Sequence, residues 1–185
     1  DITQWADGDS DGYGDNPAPA SAPDGCPDVW GNSTLDSLGC LDSDGDGWSE
    51  ASDSYPNDKL LWSDDDGDGY ADQSGTALSD DCPEVAGTSI WSLLGCIDTD
   101  GDGWADTEDE YPLDVSQWRD TDEDGYGDNA DGTDGDLCPL QEGYSAIDRL
   151  GCPDADEDGY SDPADAWTVD EEADAFPSDD SQWRD

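Results

Sequence analysis

The stretch that decides the fold is DTDGDGWADTED, residues 98–109. It has the spacing of a twelve-residue calcium loop, in which positions 1, 3, 5, 7, 9 and 12 supply oxygen ligands. Those positions carry Asp98, Asp100, Asp102, Trp104, Asp106 and Asp109. Gly103, at position 6, permits the sharp turn because it has no Cβ to oppose a positive φ. The stretch therefore predicts a Ca²⁺ site, with the main-chain carbonyl as the ligand at position 7.

The same pattern occurs six times through position 9, always in one register. We number loops 1 to 6 by their first residues, which are Asp7, Asp42, Asp64, Asp98, Asp120 and Asp154. The predicted ligands up to position 9 in the other five loops are Asp7, Asp9, Asp11, Tyr13 and Asp15; Asp42, Asp44, Asp46, Trp48 and Glu50; Asp64, Asp66, Asp68, Tyr70 and Asp72; Asp120, Asp122, Asp124, Tyr126 and Asp128; Asp154, Asp156, Asp158, Tyr160 and Asp162. One match could be chance in an acidic chain, whereas six in register could not. The sequence therefore predicts at least six bound Ca²⁺.

Position 12 separates two classes of loop. Loops 2, 4 and 6 carry an acid there: Asp53, Asp109 and Asp165. Loops 1, 3 and 5 have Ala18, Gly75 and Asp131, so we expect them to take a ligand from further along the chain. The periodic candidates, each two residues before a cysteine, are Asp24, Asp80 and Asp136. An insertion near 166–174 leaves two candidates for loop 6: Asp165 by spacing and Asp174 by alignment of the repeat ends.

The composition argues against an ordinary globular core. Leu, Ile, Val and Phe together number 21 of 185 residues, and the formal net charge is −49 with only four basic residues. Such a chain is expected to be disordered unless cations hold it together. Six Ca²⁺ would bring the charge to −49 + 12 = −37. The charge disfavours nucleic acid and anionic membranes as partners, and no apolar run suits a membrane-spanning helix.

The six cysteines form three pairs, each separated by thirteen residues: Cys26 and Cys40, Cys82 and Cys96, Cys138 and Cys152. Zinc would require short Cys-x-x-Cys clusters or histidine, and the chain has neither. We therefore predict three local disulfides, each worth roughly 3 kcal/mol in the chain-entropy model. Reduced thiols in a cytosolic protein are the alternative. Disulfides indicate an oxidising, extracellular setting, secreted or at the cell surface.

Both members of each cysteine pair recur at a period of 56 residues, which divides the chain into tandem units. The units are 1–57, 58–113 and 114–178, and 179–185 begins a fourth or forms an inter-subunit connection. The expected fold is mostly irregular: an elongated array of acidic loops stapled by disulfides. One or two helical turns are expected between the cysteines of a pair, where 89–95 has a serine cap, apolar residues three apart and a final glycine.

Three other features bear on function. Aromatic residues recur in phase and are expected to form a miniature core, with carbohydrate stacking as the alternative. Asn32-Ser33-Thr34 fits an N-glycosylation sequon. The 53 acids offer many carboxylate pairs, but catalysis needs one pair with divided environments in a cleft. Small similar units offer no obvious cleft and histidine is absent, so the chain is not expected to be an enzyme.

On the six loops, the chain resembles thrombospondin type 3 repeats. The resemblance implies acidic motifs wound around a string of Ca²⁺, with little regular secondary structure and with disulfides as staples. The paired cysteines bracketing an apolar segment, and the 56-residue period, depart from that family's pattern. Dockerin modules and EF-hand sensors resemble the chain less, because Pro56, Pro112 and Pro163 oppose helices after the loops.

These observations predict an extracellular structural protein, a calcium-stiffened rod that forms a filament, a fibril or a cell-surface stalk. Residues 1–7 and 179–185 match in phase, and Asp185 stands where a seventh loop would begin. We therefore expect head-to-tail self-association or continuation into further repeats, with Asp185 as an additional ligand. A calcium-dependent adhesive or carbohydrate-binding module, with glycans as partners of exposed tryptophans, is the alternative.

Overall fold

The computed structural model of the chain describes residues 6–17, 19, 21–164 and 167–184. The chain divides into two compact units, Asp1–Ala86 and Gly87–Asp185. Loops 1 to 3 lie in the first unit and loops 4 to 6 in the second, and each unit is described by itself below.

Regular secondary structure is almost absent from the described residues. Their one named element is a single 3₁₀ turn, Val169–Glu171, which begins with a capping box formed by Thr168 and Glu171. Pairing between extended segments is limited to isolated bridges: Gly14 with Pro23, Ala71 with Ser79, Gly127 with Gly135, and Ala164 with Trp167. The expectation of a mostly irregular, disulfide-stapled chain is therefore confirmed.

The short helical turns expected between paired cysteines do not form. In each segment a buried serine hydroxyl donates to the carbonyl four residues later and accepts the N–H of the second cysteine, as Ser33 does with Ser37 and Cys40. Ser89 and Ser145 repeat the arrangement. The hydroxyl is thus bonded to the end of the segment instead of capping the N–H groups of a first helical turn, which is how serine competes with helix formation.

Each segment between paired cysteines instead attaches to the acidic loop that follows it. Two consecutive N–H groups donate to the carbonyl of the position-6 glycine, as Thr34 and Leu35 do to Gly47 at 2.8 and 2.9 Å. Ile90 and Trp91 bind Gly103 in the same way, and Ala146 and Ile147 bind Gly159. The apolar segment therefore serves as a backbone support for the loop rather than as a helix packed in a core.

The cysteine pairing was predicted correctly. Cys26 is bonded to Cys40 and Cys138 to Cys152, with a Cα–Cα distance of 5.0 Å in both pairs. Cys82 and Cys96 are also disulfide-bonded, and no cysteine of the chain is free. The three disulfides therefore hold the segments beside the loops without a large apolar core.

Few apolar side chains are buried. In the first unit these are Cys40, Leu61 and Ala71; in the second they are Cys96, Ala105, Cys152 and Ala173. Every described aromatic ring is half-buried or exposed, so the aromatic residues do not form the expected miniature core. Buried polar residues outnumber buried apolar ones, and Asp136 and Asp174 are only 1% and 0% exposed. The interior consists largely of groups that require a polar partner.

Candidate metal centre

The backbone of each loop turns on two left-handed residues. Position 4 has a φ between 62° and 85°, and the glycine at position 6 has a φ between 97° and 107°. The position-1 carboxylate holds this turn by accepting two N–H groups. The N–H of position 4 donates at 2.7–2.8 Å and that of position 6 at 2.8–3.3 Å in all six loops. The positive φ at position 6 therefore agrees with the prediction that this position requires glycine.

The carboxylates at positions 3 and 5 use one oxygen to hold the loop. The position-7 N–H donates to one oxygen of the position-5 Asp at 2.8–3.0 Å in every loop. The position-5 N–H donates to the position-3 Asp in loops 1, 2, 3, 4 and 6. In all six loops, however, the Oδ2 atom at position 3 is buried without a hydrogen-bond partner; these residues are Asp9, Asp44, Asp66, Asp100, Asp122 and Asp156.

These carboxylates converge. In loops 1 to 5, one oxygen from each of positions 1, 3 and 5 lies within 4.8 Å of the others. The position-5 residues Asp46 and Asp102 and the position-9 residue Glu50 also have buried oxygens without a partner. A set of close, desolvated negative charges is unfavourable unless a cation or a proton neutralises it.

A fourth carboxylate closes each site, and its placement is the same in all six. One oxygen accepts the N–H two residues later at 2.6–2.7 Å, with Cys26, Tyr55, Cys82, Tyr111, Cys138 and Phe176 as the donors. The closing residues are Asp24, Asp53, Asp80, Asp109, Asp136 and Asp174. The second oxygen of Asp24, Asp80, Asp136 and Asp174 is buried without a partner. The turn therefore fixes the carboxylate and leaves an oxygen for a ligand.

The charges acting on the closing residues show which loop each one faces. The pKa of Asp136 is raised to about 6, chiefly by burial and also by the carboxylates of Asp124 and Asp122 in loop 5, against the lowering effect of the Cys138 N–H. The other five also have a raised pKa from burial and from carboxylates of loops 1, 2, 3, 4 and 6 respectively. All six loops thus bring a closing carboxylate against their own acids.

The structure describes one of the two candidates for closing loop 6, Asp174. Burial raises the pKa of Asp174, and Asp158 and Asp156 add repulsion, so Asp174 faces loop 6 across the insertion. Its N–H donates to the carbonyl of Ser161 at 2.9 Å. Asp165 lies outside the described residues, as does Asp185. The fold therefore brings to loop 6 the residue that alignment of the repeat ends indicated.

The donor set fits a hard cation. Every candidate donor is an oxygen: five carboxylates per loop, at positions 1, 3, 5 and 9 and at the closing residue, with the main-chain carbonyl at position 7 as a further candidate. Neither sulfur nor histidine is available, because all cysteines are disulfide-bonded and histidine is absent. This set matches Ca²⁺, which takes six to eight oxygens in flexible geometry. Bound Ca²⁺ would neutralise the carboxylates and contact the buried oxygens that have no protein partner.

Sequence reasoning missed a set of contacts that support the loops from the side. Both oxygens of Asp36 accept from Ser49, its N–H at 2.9 Å and its hydroxyl at 2.5 Å. Burial acts to raise the pKa of Asp36, but hydrogen bonds from Ser49, Ser37 and Ser52 lower it to about 2. Asp148 and Ser161 repeat the pair at 2.9 and 2.8 Å. The signal was present in the sequence, because the aligned middle repeat changes both members, to Ser92 and Ala105.

The N–H groups of two glycines, Gly31 and Gly143, were also overlooked. They donate to the position-5 carboxylates of Asp11 and Asp124 at 3.3 and 3.0 Å. A side chain at either glycine would meet the backbone of Cys40 or Cys152 at 2.1 Å, so only glycine fits. The segment between paired cysteines therefore contacts the loop before it as well as the loop after it.

Comparison with known proteins does not assign the chain. The sequence matches no protein-family model and no curated protein. Within the part of the chain that the structure describes, no helix is long and apolar enough to cross a membrane.

Acidification is expected to compact the calcium-free chain. The closing carboxylates have raised pKa values in the folded state, so their ion-free folded form binds more protons than the unfolded form and gains stability as pH falls. For Asp136 this gain develops between about pH 6 and its ordinary value of 3.8. Small-angle scattering in EGTA should show the radius of gyration falling across this range. With excess Ca²⁺, the same acidification should weaken binding and expand the chain.

A compact calcium-free chain at pH 7 that expands on acidification to pH 4 would contradict this expectation. Asp36 provides an internal contrast, because its lowered pKa makes the folded chain less stable, not more stable, as the pH falls. Its contribution to stability is present above pH 3.8 and is lost only as the pH falls towards about 2. The titration should therefore show compaction first and renewed expansion below about pH 3.

Replacement of Asp174 by Asn is expected to remove one Ca²⁺ site, whereas replacement of Asp165 by Asn should leave the number of sites unchanged. The reason is that Asp174 is fully buried with an unpartnered oxygen among the carboxylates of loop 6. Isothermal titration with Ca²⁺ measures both stoichiometries. Loss of a site in Asp165→Asn, with Asp174→Asn unaffected, would show that spacing rather than repeat alignment identifies the ligand.

Proposed function

We propose that this chain is an extracellular structural protein that Ca²⁺ folds and stiffens. The single observation that carries the proposal is the closing carboxylate, which recurs in all six loops with one oxygen fixed by an N–H two residues later. In four loops its other oxygen is buried without a partner. A repeated arrangement of buried unpaired carboxylates is unfavourable by itself and favourable around a divalent cation.

Calcium binding in such a chain is part of folding. With few buried apolar side chains and a net charge of −49, the hydrophobic effect gives little stabilisation against self-repulsion. The free energy of metal binding then becomes free energy of folding. Three disulfides reduce the entropy of the unfolded chain and fit an oxidising compartment. Both features favour an extracellular setting, secreted or at the cell surface.

The tandem arrangement favours a rod as the functional form. Units that repeat every 56 residues, each with two calcium loops, can extend without a global core because each unit contacts chiefly its neighbours. A filament, a fibril or a cell-surface stalk would use that length, and self-association of the repeats would extend it. The six DxDxDG loops support a relationship to thrombospondin type 3 repeats, and that membership is part of the proposal.

A calcium-dependent adhesive or carbohydrate-binding module is the second candidate. The observation that favours it is the exposure of large aromatic side chains: Trp30 is 56% exposed, Trp91 67% and Tyr144 55%. Exposed rings on a folded surface suit ligand contact. The sequon residue Asn32 is exposed as well, so a glycan could be attached there.

Electron microscopy before and after EGTA, with calcium counted in parallel, tests the proposal. Long particles that soften or dissociate on chelation, with six or more Ca²⁺ per chain, are the expected result. Readdition of Ca²⁺ should restore them, and Mg²⁺ at the same concentration serves as the ion control. Short particles that keep their shape in EGTA, or fewer than three Ca²⁺ per chain, would overturn it.

A further inference from the structure

Two surface clefts lie at corresponding places in successive repeats. The first has a volume of about 310 Å³ and is lined by Trp48, Ser52, Ser54, Trp62, Ser63, Asp64 and Asp65. The second has a volume of about 480 Å³ and is lined by Trp91, Asp102, Trp104 and Trp118. Each cleft joins the aromatic residue at loop position 7 to the tryptophan that begins the next repeat. Both volumes fall in the range of small-ligand sites.

The third repeat shows what can cover the tryptophan of such a cleft. There Tyr160 stacks on Trp183, with ring centroids 4.1 Å apart and planes 8° from parallel. The backbone holds this tryptophan as it does in the other repeats, since its carbonyl accepts the N–H of Ala175 at 2.8 Å. The equivalent bond to Trp62 is 3.0 Å and that to Trp118 is 3.3 Å. A flat ring therefore fits against the face of Trp183, and the same backbone hydrogen bond holds Trp62 and Trp118.

The first cleft combines aromatic faces with hydrogen-bonding groups. Ser52, Ser54 and Ser63 line it. The Ser52 hydroxyl is bonded to Asp36 and that of Ser63 donates to Asp72 at 2.5 Å, so these two offer their oxygens as acceptors. Asp65 stands at position 2 of loop 3, which is not a ligand position, and it accepts the Ser63 hydroxyl at 3.0 Å. The carboxylate of Asp65 is therefore available to a ligand when loop 3 is filled with Ca²⁺. Aromatic faces with a few placed polar groups are typical of sites that recognise ring-shaped, hydroxyl-bearing ligands.

The charge of the chain restricts the ligand further. Carboxylates line both clefts, and the net charge stays near −37 with six Ca²⁺ bound, by the sum −49 + 12. Sulfated, phosphorylated or carboxylated glycans would be repelled. We propose that the clefts bind neutral pyranose sugars, with the C–H face of a sugar ring on Trp62 or Trp118 and its hydroxyls hydrogen-bonded to the serines and to Asp65. This inference rests on the proposed function, because the clefts adjoin loops 3 and 4, which Ca²⁺ would order.

The test uses the whole chain saturated with Ca²⁺ and three neutral probes: hexasaccharides of β-1,4-glucose, α-1,4-glucose and β-1,4-N-acetylglucosamine. Tryptophan fluorescence and isothermal titration should show binding of at least one. The double variant Trp62→Ala/Trp118→Ala should weaken it at least tenfold. The matched control Trp30→Ala, which removes a tryptophan 56% exposed but outside both clefts, should stay within twofold. Trp91→Ala removes a side chain 67% exposed and should weaken binding without disturbing the fold.

Calcium counted on the same samples separates this inference from the proposed function. Six bound Ca²⁺ with no binding of any neutral hexasaccharide would overturn the sugar site alone. Equal loss of binding in Trp30→Ala and in the double variant would overturn it too. Tighter binding of a hexaarginine peptide, abolished at about 0.5 M salt, would assign the clefts to a basic protein segment instead. Fewer than three Ca²⁺ per chain would mean that the proposed function has failed first.

Discussion

Removal of Ca²⁺ with EGTA at neutral pH is expected to unfold both units of the chain into an expanded coil that only the disulfides hold together. Each of loops 1 to 5 then keeps three carboxylates within 4.8 Å of one another, with a closing carboxylate facing them and nothing to neutralise the charge. The buried apolar residues, Leu61 and a few alanines and cysteines, are too few to oppose this repulsion. Small-angle scattering should show the radius of gyration rising towards about 45 Å, the value for an unfolded chain of this length.

The control for this experiment is salt without calcium. About 1 M NaCl screens the charges over roughly 3 Å, so it should limit the expansion but should not restore protection against proteolysis. Restoration needs an ion that occupies the sites, because the unpartnered oxygens of Asp136 and Asp174 are buried. A calcium-free chain that keeps its compact dimensions at low salt and pH 7 would contradict the expectation and would leave the disulfides as the scaffold.

Replacement of Asp136 by Asn is expected to have opposite effects with and without calcium. With Ca²⁺, loop 5 loses its closing carboxylate and should bind at least about a hundredfold more weakly, near 3 kcal/mol. Without Ca²⁺, the ionised Asp136 carboxylate destabilises the folded chain by roughly 3 kcal/mol at pH 7, because its pKa is raised from 3.8 to about 6. Its replacement by Asn removes this destabilisation. Calcium titration measures the first effect. Small-angle scattering of the calcium-free chain measures the second, because compaction on acidification should begin at a higher pH in the variant.

Asp131→Asn is the matched control for Asp136→Asn. Asp131 occupies position 12 of loop 5 by spacing, but its side chain is exposed and the structure closes the loop with Asp136 instead. Its replacement should change the affinity of loop 5 by less than twofold. Asp80→Asn should weaken loop 3 as Asp136→Asn weakens loop 5, since Asp80 has the same hydrogen bond and an unpartnered oxygen. Unchanged stoichiometry and affinity in Asp80→Asn would refute the shared closing role.

Much of the candidate site could be read from the sequence because its geometry is local. Positions 1 to 9 of each loop are tied by hydrogen bonds between residues two to seven apart, such as those from Gly45 and Gly47 to Asp42. A repeat of 56 residues then placed Asp24, Asp80 and Asp136 two residues before a cysteine, where a local turn fixes each carboxylate. Such patterns can be recognised in a single sequence because few other backbone conformations place these side chains and N–H groups together.

The helical turn expected between paired cysteines failed for a non-local reason. Ser89, Trp91 and Gly95 fit a short helix, but the N–H groups of Ile90 and Trp91 donate to the carbonyl of Gly103 and tie the segment to loop 4. The buried hydroxyl of Ser89 also donates to the carbonyl of Leu93 and accepts the N–H of Cys96, so it does not cap a helix. Tertiary contacts override the weak preferences of so short a segment. The hydrogen bonds between Asp36 and Ser49, thirteen residues apart, are likewise seen only in the folded chain, although the joint change of both positions in the middle repeat is visible in the sequence.

The sequence by itself therefore determined the acidic loops, the cysteine pairs and the repeat, because spacing along the chain fixes each of them. Only the tertiary structure decided three matters: Asp174 faces loop 6 across the insertion, the apolar segments support loops instead of forming helices, and the tryptophans line clefts rather than a core. Each outcome depends on which polar groups and which rings still lack a partner after the acidic loops have formed. That depends on distances in space, which no spacing along the chain specifies.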